Sequence, residues 1–342
     1  MSVESVVSTP LARRLTAVAT AAAFLLTLTA CGGDGAGNGA SGTDGSSGSS
    51  AGDGAPSAAT HTVPTVMGDV KVPHTPRRIV VLDTDALDSV VTLGTTPVGA
   101  TTVADGAPLS AYLPADRLKG VEPVGLIGAP NLEAIAALKP DLILSSKVRD
   151  EKNYTALSAI APTVFSETTG PSWRQNFALH ADAVGKKPEA DKIAAAYDAH
   201  VARLTTALGG PAEAKKTKVG FVRFVEGADT RLYLNDTFVG SLFKDLGVGR
   251  PANQDTAGFS LDVSPEQIDK ADADVLYHST YGDPAKAKET ATTAGPLWKN
   301  LTAVKKGRAF AVDDNLWMLG IGYTGADKIL DTIEKTYVST RR

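Results

Sequence analysis

The sequence has almost no cysteine, no excess of basic residues and no apolar run long enough to cross a bilayer. Cys31 is the single cysteine among 342 residues, so no disulfide can form within the chain. A lone thiol between Ala30 and Gly32 is also a poor catalytic nucleophile. The apolar stretch over residues 15–28, interrupted only by threonine, is too short for a good spanning helix. With a net charge of −4 at pH 7, nothing in the sequence suggests a basic face for nucleic acid. The five histidines, His61, His74, His180, His200 and His278, include no two at short ligand spacing, so no resident metal site is legible. No G-x-S-x-G string stands between a strand pattern and a helix pattern, as a nucleophile elbow requires, and there is no Walker loop. The G-x-G-x-x-G string from Gly320 to Gly325 lies too near the C-terminus to open a dinucleotide-binding βαβ unit. It reads as a glycine-rich turn before the last helix. The sequence therefore offers no enzyme and no cofactor of its own.

What is present begins with Arg13-Arg14, the apolar segment and the small residues before Cys31, the layout of a secretory signal. This stretch resembles the bacterial lipoprotein signal, in which the residue matching Cys31 is lipidated and becomes the mature N-terminus. The resemblance implies a signal peptide over 1–30 and a protein held at the cell membrane, on its extracytoplasmic face. Residues 31–60, rich in Gly, Ser, Ala and Asp, cannot bury enough apolar surface to offset ordering and read as a disordered tether.

The folded part is organised around one stretch. Ile193, Tyr197, Val201, Leu204 and Leu208 recur at helical spacing, Pro188 suits a first turn, and Gly209-Gly210-Pro211 ends the helix. The chain reads alike on its two sides. Leu132-Glu133-Ala134-Ile135 leads to the apolar run Leu142-Ile143-Leu144, and Pro265-Glu266-Gln267-Ile268 leads to Val275-Leu276. On each side an apolar strand, beginning near Arg78 or Val219, precedes these parts. The spacing predicts two Rossmann-like α/β lobes, 61–183 and 211–342, joined by a single long α-helix over 184–210. Ligands of such sheets bind beyond the carboxyl ends of the strands, so loops near Asp83, Ser145 and Ser166 face loops near Glu226, His278 and Asp313 across a cleft.

The segments from Pro76 to Leu82, Asn131 to Leu144, Leu157 to Val164 and Pro296 to Lys305 resemble the iron-siderophore substrate-binding proteins of ABC importers. The resemblance runs over roughly residues 62–337 and implies two lobes on one helix with little hinge motion. It implies a receptor for a ferric siderophore that works as a monomer with an ABC permease and its separate ATPase. The siderophore's oxygens fill the iron's coordination sphere, so the protein offers arginines and aromatics instead. Arg149 and Arg223 are the candidate arginines; Trp317, Tyr281, Trp173, Asn235 and Asp85 complete the candidate ligand set. Glu133 and Glu266 correspond to the family's permease-docking glutamates. One or two arginines suit a hydroxamate chelate better than a tri-anionic catecholate. Haem or cobalamin, carried by the same fold, is the alternative ligand, with direct zinc or manganese binding further behind.

Overall fold

The computed structural model describes residues 59–341. Strands β1 (Thr60–Thr65) and β2 (Gly68–Pro73) form an antiparallel hairpin at the entry to the first lobe. The first lobe holds β3 (Ile79–Val81), β4 (Gly99–Thr102), β5 (Glu122–Leu126), β6 (Ala129–Pro130), β7 (Leu142–Ser146) and β8 (Thr163–Ser166). These lie in the order β6-β5-β4-β3-β7-β8, parallel except for the short antiparallel edge strand β6. Every residue of β3, β7 and β8 is buried, as expected for parallel strands covered on both faces.

The second lobe holds β9 (Val219–Val225), β10 (Thr230–Tyr233), β11 (Ser260–Val263), β12 (Val275–Tyr281) and β13 (Ala309–Ala311), in the order β11-β10-β9-β12-β13. β9, β12 and β13 are parallel, while β10 and β11 turn back as an antiparallel edge. β12 runs four residues further than its apolar start suggests, so His278 lies inside the strand rather than in a loop.

Between the sheets runs the helix Lys187–Ala207, 21 residues and about 30 Å long. Its predicted face is the one that packs: Tyr197, Leu204 and Leu208 are buried, with Ile193 and Val201 partly so. At its middle an aromatic node joins four elements. The rings of Trp173, Tyr197 and Phe238 meet edge to face, with Trp173 5.4 Å from Tyr197 and 5.6 Å from Phe238. Tyr323, from the final helix Tyr323–Ile333, closes the node 4.7 Å from Trp173. Arg174 spans the strut and the second lobe, donating to Asp198 at 3.0 Å and Asp245 at 2.9 Å.

Candidate ligand-binding cleft

The first lobe brings its strand ends to one edge. Asp83 follows β3 by two residues, and its carboxylate caps the helix Thr84–Thr92 by accepting the Thr84 N–H at 2.7 Å. β7 feeds the one-turn helix Lys147–Asp150, which sets Arg149 beside Asp83, its Nε donating to Asp83 Oδ2 at 2.8 Å. Burial, reinforced by neighbouring Asp85, raises the Asp83 pKa, and the Arg149 charge opposes it. Burial works against the Arg149 cation too, but Asp83, Asp85 and Asp150 outweigh it and raise its pKa. The Asp83 side chain is fully buried, whereas Arg149 keeps 39 % of its side chain exposed, so the pair presents a guanidinium from a buried anchor.

The second lobe repeats the device. Arg223 interrupts the apolar run of β9, opposite Ser279 of β12. Its Nε and Nη2 donate to the two carboxylate oxygens of Asp314 at 2.7 and 2.6 Å, a fork-to-fork pair. Asp314 opens the helix Asp314–Leu319, which Asp313 caps through the Leu316 N–H at 2.7 Å. Ser279 Oγ adds a third donor to Asp314, also at 2.7 Å. The Arg223 guanidinium sits 5.1 Å from the centre of the Tyr281 ring.

Between the lobes lies a cavity of about 210 Å³. Arg149 and residues 169–171 line it from one lobe, and Arg223, Tyr233, Phe259 and Trp317 from the other. It shares Arg149 with an open groove of about 590 Å³ along the first lobe, where Lys147, Lys152 and Glu167 stand. Phe259 (55 % exposed) and Tyr281 (47 %) leave large aromatic faces uncovered.

The structure thus unites Arg149, Arg223 and Trp317 on one cavity, with Tyr281 beside it against Arg223. Trp317 is 1 % exposed and stacks 5.4 Å from Phe221 and 4.7 Å from Tyr277, so it is chiefly a wall of the second lobe's core. Three candidates fall elsewhere. Trp173 belongs to the aromatic node, its Nε1 donating to Ser241 Oγ at 2.9 Å. Asp85 is not a loop residue: it lies inside the helix Thr84–Thr92, buried, accepting from Asn176 Nδ2 at 2.8 Å. Asn235 lines a separate polar hollow and donates to Asp255 at 3.0 Å. Sequence reasoning missed Asp314, Tyr233 and Phe259, and placed the loop near Asp83 on the cleft without pairing Asp83 to Arg149. A carboxylate directly after a buried strand, with an arginine after the next, was the one available signal.

Glu133 and Glu266 are both exposed, at the starts of the helix Leu132–Ala137 and the 3-10 turn Pro265–Ala271. Hydrogen bonding from Ser264 lowers the Glu266 pKa and keeps it ionised. Cys31, the signal segment and nearly all of the tether lie outside the described residues.

Residues 79–316 match the family described as periplasmic binding protein. The chain belongs to that family. Its members are substrate-binding transport proteins, not enzymes. The chain is 43 % identical over 298 residues to the probable siderophore-binding lipoprotein YfiY of Bacillus subtilis, covering 83 % of this chain and 90 % of YfiY. It is 31 % identical over 280 residues to the Fe(3+) dicitrate-binding periplasmic protein FecB of Escherichia coli, covering 80 % and 89 %. The structure of Staphylococcus aureus SirA complexed with staphyloferrin B superposes with a TM-score of 0.73 at 33 % identity, over 81 % of this chain and 98 % of SirA.

Proposed function

We propose that this periplasmic binding protein is an extracytoplasmic receptor that captures a ferric siderophore and hands it to an ABC permease for iron uptake. The observation that carries this reading is the convergence of Arg149 and Arg223, from opposite lobes, on one aromatic-walled cavity. The named ligands of YfiY and SirA, both siderophore-type, support it. The protein is held by lipid on Cys31, acts as a monomer and brings no cofactor of its own; its cargo is the iron chelate. Exposed Glu133 and Glu266, one on each lobe, are the contacts offered to the permease.

Charge argues for a hydroxamate chelate. Each cleft arginine is already paired with a carboxylate, Asp83 or Asp314, so the cavity is close to neutral where a tri-anion would need a surplus of cations. A carboxylate-type chelate is the second reading, favoured by the ferric dicitrate named for FecB. The groove cations Lys147 and Lys152 are placed to serve it. Tryptophan-fluorescence titration against a ferric hydroxamate, ferric citrate, a ferric catecholate, haem and cobalamin decides between them. Sub-micromolar quenching by a ferric chelate, absent with its iron-free form, is the expected result. Binding of haem or cobalamin alone overturns it.

A further inference from the structure

Far along the strut from its N-terminus, a second group of side chains meets the final helix. His200 and Arg203 stand nearly one turn apart on the strut. Asp327 and Asp331 of the helix Tyr323–Ile333, and Glu334 just beyond it, face them. His200 Nδ1 lies 2.9 Å from Asp327 Oδ1. A neutral imidazole donating its Nδ1–H to that carboxylate carries its lone pair on Nε2, the arrangement by which an outer carboxylate orients a metal-binding histidine. Nε2 is buried and has no hydrogen-bond partner among the described residues. Its neighbour is Asp331 Oδ1 at 3.7 Å, beyond hydrogen-bonding reach. Two ligand atoms each about 2.0–2.2 Å from one tetrahedral zinc ion lie roughly 3.3–3.6 Å apart, close to that separation. His200, Asp331 and Glu334 each offer a ligand atom, all within 4.8 Å of one another. Arg203 Nη1 holds both oxygens of Glu334 at 2.9 Å and so orients the third ligand.

We propose that His200, Asp331 and Glu334 form a binding site for a divalent transition-metal ion, with Asp327 and Arg203 as its orienting outer contacts. One imidazole nitrogen and two carboxylate oxygens are a donor set for Zn²⁺, and for Mn²⁺, Co²⁺ or Ni²⁺ less selectively. The site is separate from the cleft and its iron cargo, so it does not depend on the receptor reading. An ion there clips the final helix to the strut.

The test is equilibrium dialysis of the full-length protein, stripped with a chelator, against Zn²⁺. One equivalent is expected to bind, and His200→Gln and Asp331→Asn are each expected to weaken that binding at least tenfold. Zn²⁺ is expected to raise the thermal midpoint of the wild type and not of the variants. Asp331 is 48 % exposed, so its neutral isostere separates loss of a ligand from loss of the fold. His61 and His74, whose rings stack at 5.0 Å, are the other place an ion could sit, and His74→Gln is expected to leave binding intact. No binding by the wild type, unchanged affinity in both site variants, or loss in His74→Gln overturns the proposal.

Discussion

Asp88 and Gly325 are 237 residues apart, yet the Asp88 carboxylate accepts the Gly325 N–H at 3.1 Å. It also accepts the Thr324 N–H at 3.3 Å and the Thr92 hydroxyl at 3.0 Å. A residue of the first lobe thereby caps the final helix, whose own N-cap, Gly322, has no side chain to do so. Gly322 is required, because a Cβ there would strike the Asp88 carboxylate. Together with the aromatic node and the Arg174 bridges, this contact ties both lobes to the strut region.

Asp88→Ala leaves two amide donors without their partner in a site closed to water. Loss of a cap costs about 0.5–2 kcal/mol, and a buried unsatisfied donor about 1–3 kcal/mol. A destabilisation of roughly 2–4 kcal/mol is expected in urea unfolding. Gly322→Ala is expected to destabilise as well, and Asp88→Ala is expected to suppress most of that effect, since it removes the atom the new methyl strikes. Additive losses in the double variant would show that the two positions do not meet.

Burial raises the Asp88 pKa to about 6, against the hydrogen bonds from Gly325, Thr92 and Thr324 that favour its anion. A carboxyl whose pKa is higher folded than unfolded makes the native state bind more protons. Its contribution to stability is therefore full below the unfolded value of 3.8 and is lost as pH rises through about 6. Relative to Asp88→Asn, the wild type is expected to lose stability between pH 4 and 7. Buried His180, its pKa lowered to about 4 by desolvation, pulls the other way between pH 6.5 and 4 in both proteins, so the comparison cancels it. A flat difference across that range would refute the assignment.

The cleft arginines can be separated from their anchors. Arg149→Ala removes a ligand contact but also leaves the Asp83 carboxylate buried without its cation. Ligand affinity is expected to fall by about 1–3 kcal/mol, the scale of a charge-assisted hydrogen bond. Adding Asp83→Asn is expected to restore stability and not affinity. Arg223→Lys keeps the charge but not the fork to Asp314 and is expected to weaken binding as well. Recovery of affinity by Asp83→Asn would mean that Arg149 serves the fold alone.

Much of this was legible in the sequence, for physical reasons that also mark where legibility stopped. The strut announced itself because Tyr197, Leu204 and Leu208 obey one helical period over 21 residues. The buried strands β3, β7, β9 and β12 each open on an apolar run, and the strand-end rule carried Arg149 to the cleft. The strands β5, β6 and β11 were silent. β5 contains Pro123 and Gly125, β6 is two residues long, and β11 buries only Val263. Asp83 and Asp85 look equivalent at the head of one helix; only the fold turns one toward Arg149 and the other into the core. Trp317 follows a strand, as a cleft residue would, yet its ring lies against Phe221 and Tyr277. The His200 group was invisible because its partners begin 127 residues away and spacing rules see only near neighbours.

Glu133 and Glu266 supply the last prediction, and it separates transport from binding. Both carboxylates are exposed at the first turns of short helices, where the local dipole favours negative charge. Neither lines the cleft, whose walls come from the opposite ends of the strands that follow them. Beside Glu266 a hollow of about 350 Å³, lined by Pro296, Leu297 and Lys288, adds apolar surface that a partner can cover. If the pair docks the permease, Glu133→Ala with Glu266→Ala abolishes iron uptake by whole cells while the fluorescence titration of the purified protein stays unchanged. Each single variant is expected to reduce uptake only in part, because either lobe alone keeps half of the contact. If lipid on Cys31 holds the protein, Cys31→Ala is expected to give the complementary loss, with affinity intact and the protein released from the membrane. Reduced affinity in the double glutamate variant would place those residues in the fold or the cleft, and the permease would then have to grip another surface.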